Sequence, residues 1–122
     1  MGNIKVIDKN NSTKTEKKTK LKIVHRNNFI EKTLGYMFTK KSDKILIFNF
    51  NRNQIIGIHT FFVRFPLRCI WLKDNTIKEI KTLNPWKIYR PKIKSNRLIE
   101  IPEKEFNKID LKIKKENKLF IK

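Results

Sequence analysis

Alanine is missing altogether from this 122-residue chain, cysteine occurs once and glycine three times. The single Cys69 excludes an internal disulfide and any cysteine-cluster zinc or iron–sulfur site. With glycine only at positions 2, 35 and 57 there is no glycine-rich phosphate loop. Ser12, Ser42 and Ser95 sit in polar segments without the glycines of a nucleophile elbow. No apolar run approaches the ~18 residues of a membrane span, and the N-terminal residues lack the apolar core of a signal peptide. Those two absences predict a cytoplasmic protein without a membrane span. Acids are scarce as well: 11 Asp and Glu face 30 Lys and Arg, for a formal net charge of +19.

That charge is read against a composition bias. Lysine (24), isoleucine (19) and asparagine (13) dominate the chain, and all three have A/T-rich codons. Part of the lysine excess therefore reflects codon usage. Glutamate also has an A/T-rich codon and did not rise to match, so the sign of the charge still carries information. A chain this basic attracts polyanions at low salt.

Hydrophobic residues make up 39% of the chain and include nine phenylalanines, enough for one compact core. Asp8 to Lys20 contains no apolar side chain, which predicts a mobile basic tail over residues 1–20 and one β-rich domain over 21–122. Leu21, Ile23 and His25 alternate with Lys22, Val24 and Arg26 at the period of a strand. A short helix is expected over Phe29–Leu34, ended by Gly35. Apolar runs at Ile45–Phe50, Ile55–Val63, Cys69–Leu72 and Leu98–Ile101 read as strands. Asn51 to Gln54 breaks the first, and Pro66 ends the second. A strand from Thr76 returns across the Asp74–Asn75 turn, and a last hairpin joins Leu111–Ile113 to Leu119–Ile121. Short strands at this spacing predict a mostly β fold, a small antiparallel barrel- or sandwich-like sheet with one or two short helices.

The order of several short motifs resembles a known family. Leu34-Gly35-Tyr36-Met37, Ile58 through Pro66-Leu67, Ile70-Trp71-Leu72-Lys73-Asp74, Pro85-Trp86 and Glu100-Ile101-Pro102 follow one another. In this order they resemble domain-of-unknown-function family 192, small proteins of archaea and bacteria. The resemblance covers about residues 20 to 121 and implies a mostly β fold, without supplying a reaction. Lys32 stands where the family has arginine, and Lys104 and Glu116 stand near family glycines. Arg68 stands where the family has an aspartate, a reversal that repels a cation and attracts an anion.

The best constellation for binding lies between Glu79 and Glu100, where no acid occurs. It holds Lys81, Lys87, Arg90, Lys92, Lys94 and Arg97, with Trp86 and Tyr89 interleaved. Cations meet phosphates, and exposed rings stack on unpaired bases; a solvated basic loop with Trp86 turned inward is the plainer alternative. Phe62-Val63-Arg64-Phe65 matches the end of the RNA-recognition-motif signature, but the front half lacks its glycines, so this segment is read as a core strand. A second candidate is a small-ligand pocket around His59, Arg68 and Trp71, with Phe61, Phe65, Met37 and Ile70 as further lining. His25, His59 and Cys69 lack metal-ligand spacing, so no metal and no cofactor are expected. Asp74, Glu79 and Glu100 supply carboxylates without any pattern that pairs them for acid–base work. The sequence thus predicts a non-catalytic binding module for an anionic partner such as nucleic acid, with the small-ligand module as the alternative.

Overall fold

The computed structural model describes residues 2–27 and 43–122. The expected helix at 29–34, with Lys32, Gly35 and Met37, lies outside them. Eight strands form one sheet in the order β2-β1-β10-β7-β6-β9-β4-β3. They are β1 (Gly2–Ile7), β2 (Lys14–Thr19), β3 (Lys22–Arg26), β4 (Lys44–Gln54), β6 (Leu67–Lys73), β7 (Thr76–Leu83), β9 (Ser95–Pro102) and β10 (Lys118–Ile121). The short β5 (Ile58–His59) and β8 (Ile88–Tyr89) pair with each other as a separate ribbon. Helix α1 (Glu103–Ile109) follows β9 directly.

The mostly β expectation holds, with three corrections. The sheet is mixed, because β3 runs parallel to β4. It is also open: β2 and β3 share no ladder. They are nevertheless joined by a two-residue link, and a Cβ on Gly2 would lie 2.6 Å from Ile23 Cδ1, so β1 curls toward β3. Residues 1–20 are no detached tail, since β1 and β2 form a hairpin inside the sheet. Ile4 and Val6 alternate with Asn3 and Lys5 and bury in the core, a period-two signal too short to stand out beside the polar run. That polar run is the hairpin turn and the edge strand. Asp8 accepts hydrogen bonds from the Asn10 and Ser12 amides and the Ser12 hydroxyl, which holds its carboxyl below the usual range. A lysine-rich edge strand also resists pairing with another sheet.

Elsewhere the boundaries move. β4 continues through Asn51–Gln54, with a register shift between Asn49 and Gln54 absorbing the polar stretch. Leu111–Ile113 is not a strand; Leu111 packs in the core beside Phe106 of α1, and β10 pairs with β1 instead. Glu116, near a family glycine, has φ 74°, the left-handed backbone that favours glycine.

The pleat sorts the apolar residues into two cores. On the inner face Ile4, Ile45, Ile47, Ile70, Leu72, Ile99, Ile101 and Leu119 pack under α1 through Phe106. On the outer face Leu46, Phe48, Cys69, Trp71 and Leu98 are covered by Ile56, Val63, Phe65 and Tyr89 from the segments around β5 and β8. Trp71 Nε1–H donates to the Ile56 carbonyl at 2.8 Å and ties that cover to the sheet.

Arg68 points to the inner face. Its Nε donates to Glu103 at 3.0 Å, its Nη2 pairs with the other carboxylate oxygen, and its guanidinium lies 4.4 Å from the Phe106 ring centre. The anion attracted by the reversed charge is thus Glu103 of the same chain. The pair is bidentate and about one-fifth exposed, which places it above an ordinary surface pair. Arg68→Ala is expected to lower stability by about 1–3 kcal/mol in a denaturant melt, and Arg68→Lys to restore only part of it.

Candidate functional site

The large apolar residues that stand exposed among the described residues share one region. Phe62, Trp86, Ile88 and Ile93 are 45%, 58%, 71% and 44% exposed, and all four sit in the segments around β5 and β8. These are the segments that cover the outer core, so their apolar residues divide between two jobs. Val63 and Ile56 face the sheet, while Phe62 and Trp86 face solvent.

Thr60 holds the two segments together. It is fully buried, and its hydroxyl donates to the Asn84 carbonyl at 2.7 Å and accepts the Lys87 amide at 2.8 Å. Its own amide donates to the Lys87 carbonyl, and its carbonyl accepts the Trp86 amide. The clamp forces both loops through unusual backbone: Phe62 has φ 61° and Trp86 has φ 64°. Bulky residues rarely adopt that conformation, which costs on the order of 1–3 kcal/mol each. Removing the hydroxyl in Thr60→Val leaves the Asn84 carbonyl and the Lys87 amide without their partner. A loss of roughly 2–4 kcal/mol is expected in thermal or denaturant unfolding, with Thr60→Ser retaining most of the stability.

The strained turns bring four rings into a chain. His59 lies 4.9 Å from Phe61, Phe61 lies 5.7 Å from Trp86, and Phe62 meets Trp86 edge-on at 4.7 Å. His59 Nδ1 accepts the Phe61 amide. Beside them, Phe62, Val63, Arg64, Pro85 and Trp86 line an open recess of about 450 Å³. Lys87, Arg90, Lys92 and Lys94 are exposed on the same stretch of chain. The arrangement presents rings and cations together, with the rings already fixed in place.

The other residues singled out in the sequence fall elsewhere. Tyr89 is half-buried against Trp71, and its hydroxyl donates to Glu79 at 2.6 Å, so its ring is not free to stack. That bond to a carboxylate pushes the phenol pKa up. Arg97 leaves the basic loop for the inner face, where its Nε donates to Asn49 and its Nη1 to Asn75. His59, Arg68 and Trp71 do not converge: His59 is exposed, Arg68 pairs with Glu103 on the inner face, and Trp71 is fully buried in the outer core. Phe62 to Phe65 is a turn rather than a core strand, and Phe62 in the left-handed region explains the difference. Phe61 and Phe62 were the residues the sequence left unassigned to the basic site, because only the Thr60 clamp brings them to Trp86.

Glu100 is the one carboxyl deep in the sheet among the described residues. On β9 it lies opposite Leu46 of β4 and Cys69 of β6, on the outer face. That face is apolar. Burial pushes its pKa up to about 8 and pushes the Cys69 thiol well above its ordinary value.

Comparison with known proteins agrees with this architecture. The sequence model of DUF192, an uncharacterized conserved family, matches residues 9–119. A UPF0127 protein of Pyrococcus abyssi is 30% identical over 99 residues, covering 80% of this chain and 81% of its own. A UPF0127 protein of Pyrococcus horikoshii is 38% identical over 77 residues, covering 61% of this chain and 66% of its own. Among solved structures, a candidate transcription regulator from Sinorhizobium meliloti superimposes with a TM-score of 0.76 at 14% identity, over 98% of this chain and 92% of that one. A protein of unknown function from Novosphingobium aromaticivorans gives 0.72 at 16% identity, over 97% and 83%. At those identities the likeness shows the fold alone. The length of the family match and the identity to the Pyrococcus proteins show that the chain belongs to the DUF192 family.

Proposed function

We propose that this protein is a non-catalytic binding module for single-stranded nucleic acid, with the platform of Phe61, Phe62 and Trp86 as its base-stacking surface. The observation that carries the reading is the exposure of Phe62 and Trp86 in strained left-handed backbone, fixed by the buried Thr60. Strain of this kind is retained where a surface has to be presented. Arg64 lines the recess beside Phe62 and Trp86, Lys87, Arg90, Lys92 and Lys94 are exposed on the stretch of chain that follows Trp86, and unpaired bases offer flat faces to the rings.

Fluorescence tests this reading directly, because the two tryptophans differ so much. Trp71 is fully buried and Trp86 is 58% exposed. A mixed-sequence single-stranded RNA is expected to quench the Trp86 component and leave Trp71 emission in place. Quenching by anionic vesicles but not by RNA would instead identify a membrane-surface protein. Binding of RNA without a change at Trp86 would remove the platform from the account.

A further inference from the structure

The sheet carries a second charged surface, well apart from β5 and β8. On the three strands β2, β1 and β10 the ladder fixes which side chains share a face. Lys5 lies opposite Glu16 on one side and Phe120 on the other, Ile7 lies between Lys14 and Lys118, and Asn3 lies opposite Lys18. The backbones of Asn3 and Lys122 exchange hydrogen bonds, which puts Lys122 on that face too. Ile4, Val6 and Leu119 point the other way, into the inner core. The outer face of this three-stranded wing therefore holds Lys5, Lys14, Lys18, Lys118 and Lys122 against one acid, Glu16.

Three of these lysines crowd together. Lys14 lies close enough to Lys5 to lower its pKa, and Lys122 adds to the effect while Glu16 opposes it. Folding brings these like charges together where a scattered arrangement was open to it. An anion lying across them removes that repulsion.

We propose that this lysine wing is a phosphate-tracking surface that holds the backbone of the same nucleic-acid strand whose bases stack on Phe62 and Trp86; it rests on the function proposed above. Charge complementarity names the occupant, since five cations and one acid on a sheet face suit a phosphodiester chain. Topology supplies the continuity. β7 joins the wing to the covered part of the sheet, and Lys81 of β7 projects on the same outer face, 5.3 Å from the ring centre of Tyr89 on β8. With strands ~4.8 Å apart, the wing is ~10 Å wide from β10 to β2. The platform then fixes bases and the wing neutralises phosphates.

The test is the salt dependence of binding to a long single-stranded RNA, read with Trp86 quenching in the full chain. Replacing Lys5, Lys14 and Lys118 together by glutamine is expected to reduce the slope of log affinity against log salt by about 2, at ~0.7 per lost contact. The amplitude of Trp86 quenching stays as in the unmodified protein. The same charge removed on the helix side, by Lys104→Gln, Lys108→Gln and Lys112→Gln, is expected to leave the slope within error; melting curves of both variants check that the fold survives. An unchanged slope in the wing variant, or an equal fall in the helix-side variant, overturns the wing while normal quenching leaves the platform standing. The expected fall in slope with no Trp86 quenching in any protein sustains the wing as a phosphate surface and overturns the platform. Absence of binding by the unmodified protein overturns both.

Discussion

Glu100→Gln is expected to stabilise the protein by roughly 3 kcal/mol at pH 7 and to change it little at pH 4. The cause is the position of the carboxyl between Leu46 and Cys69 in the outer core, where burial raises its pKa to about 8. In the unfolded chain the same group ionises near pH ~4.3. Between those values the folded protein keeps a proton that the unfolded chain releases. Each unit of pH in that window therefore favours unfolding by about 1.4 kcal/mol. The stabilising effect of the folded-state proton is fully present below the unfolded pKa and is lost as pH rises toward 8. Glutamine is neutral throughout, so the variant loses this slope and its advantage grows with pH. Denaturant melts at pH 4, 6 and 7.5 measure it. A gain that is the same at all three values would show that the carboxyl is already ionised in the folded protein.

Trp86→Ala is expected to weaken binding of single-stranded RNA by roughly 5- to 150-fold while leaving the fold intact. The range is the ~1–3 kcal/mol of one base stacked on one ring. Because Trp86 is 58% exposed and contacts other rings mainly through its edge and face, little of the core depends on it. Phe62→Ala is expected to act in the same direction, since Phe62 meets Trp86 edge-on at 4.7 Å. The combined variant is expected to fall short of the sum, because the rings support each other's position. Trp71→Ala makes the contrast. That ring is fully buried and bonds to the Ile56 carbonyl, so its loss costs about 3–5 kcal/mol of stability and binding falls only through unfolding. Equal loss of stability in the Trp86 and Trp71 variants would mean that Trp86 is a packing residue.

Much of the sheet was legible because its strands announce themselves. Ile45–Phe48 and Cys69–Leu72 are continuous apolar runs, Leu98–Ile101 is interrupted only by Glu100, and both faces of these central strands are in fact buried. The Asp74–Asn75 turn was legible for a different reason: Asp74 takes φ 56°, which a short polar side chain tolerates. The hairpin at the N-terminus was not legible. Its edge strand, Lys14–Thr19, has no strongly apolar residue, and what holds it is backbone pairing to β1. Helix α1 was hidden similarly, because its buried side chain is Phe106 alone within seven residues.

The candidate site was half legible. The acid-free interval from Lys81 to Arg97 pointed to Trp86 and the loop cations, which do stand exposed. It also pulled in Tyr89 and Arg97, whose hydrogen bonds to Glu79 and to Asn49 and Asn75 turn them to structural work. Phe61 and Phe62 look like core residues in sequence. They become surface only through the positive φ at Phe62 and the Thr60 clamp, and neither is visible without coordinates. Three of the wing lysines, Lys5, Lys14 and Lys18, were counted with a tail and Lys118 and Lys122 with the domain, so their shared face was invisible until the register of β1 with β2 and β10 was known.

In the proposed function, rings as well as charge recognise the partner. Affinity for a single-stranded RNA and for duplex DNA of matching sequence, measured on the full chain at about 50 and about 200 mM salt, tests it most directly. Charge alone loses most of its affinity over that range and does not distinguish the two forms strongly. Single-strand binding is expected to survive at the higher salt and to exceed duplex binding, because only unpaired bases reach Phe62 and Trp86. Loss of both at the higher salt, or equal affinity for the two, would contradict it and leave the net charge of +19 as the whole cause of binding.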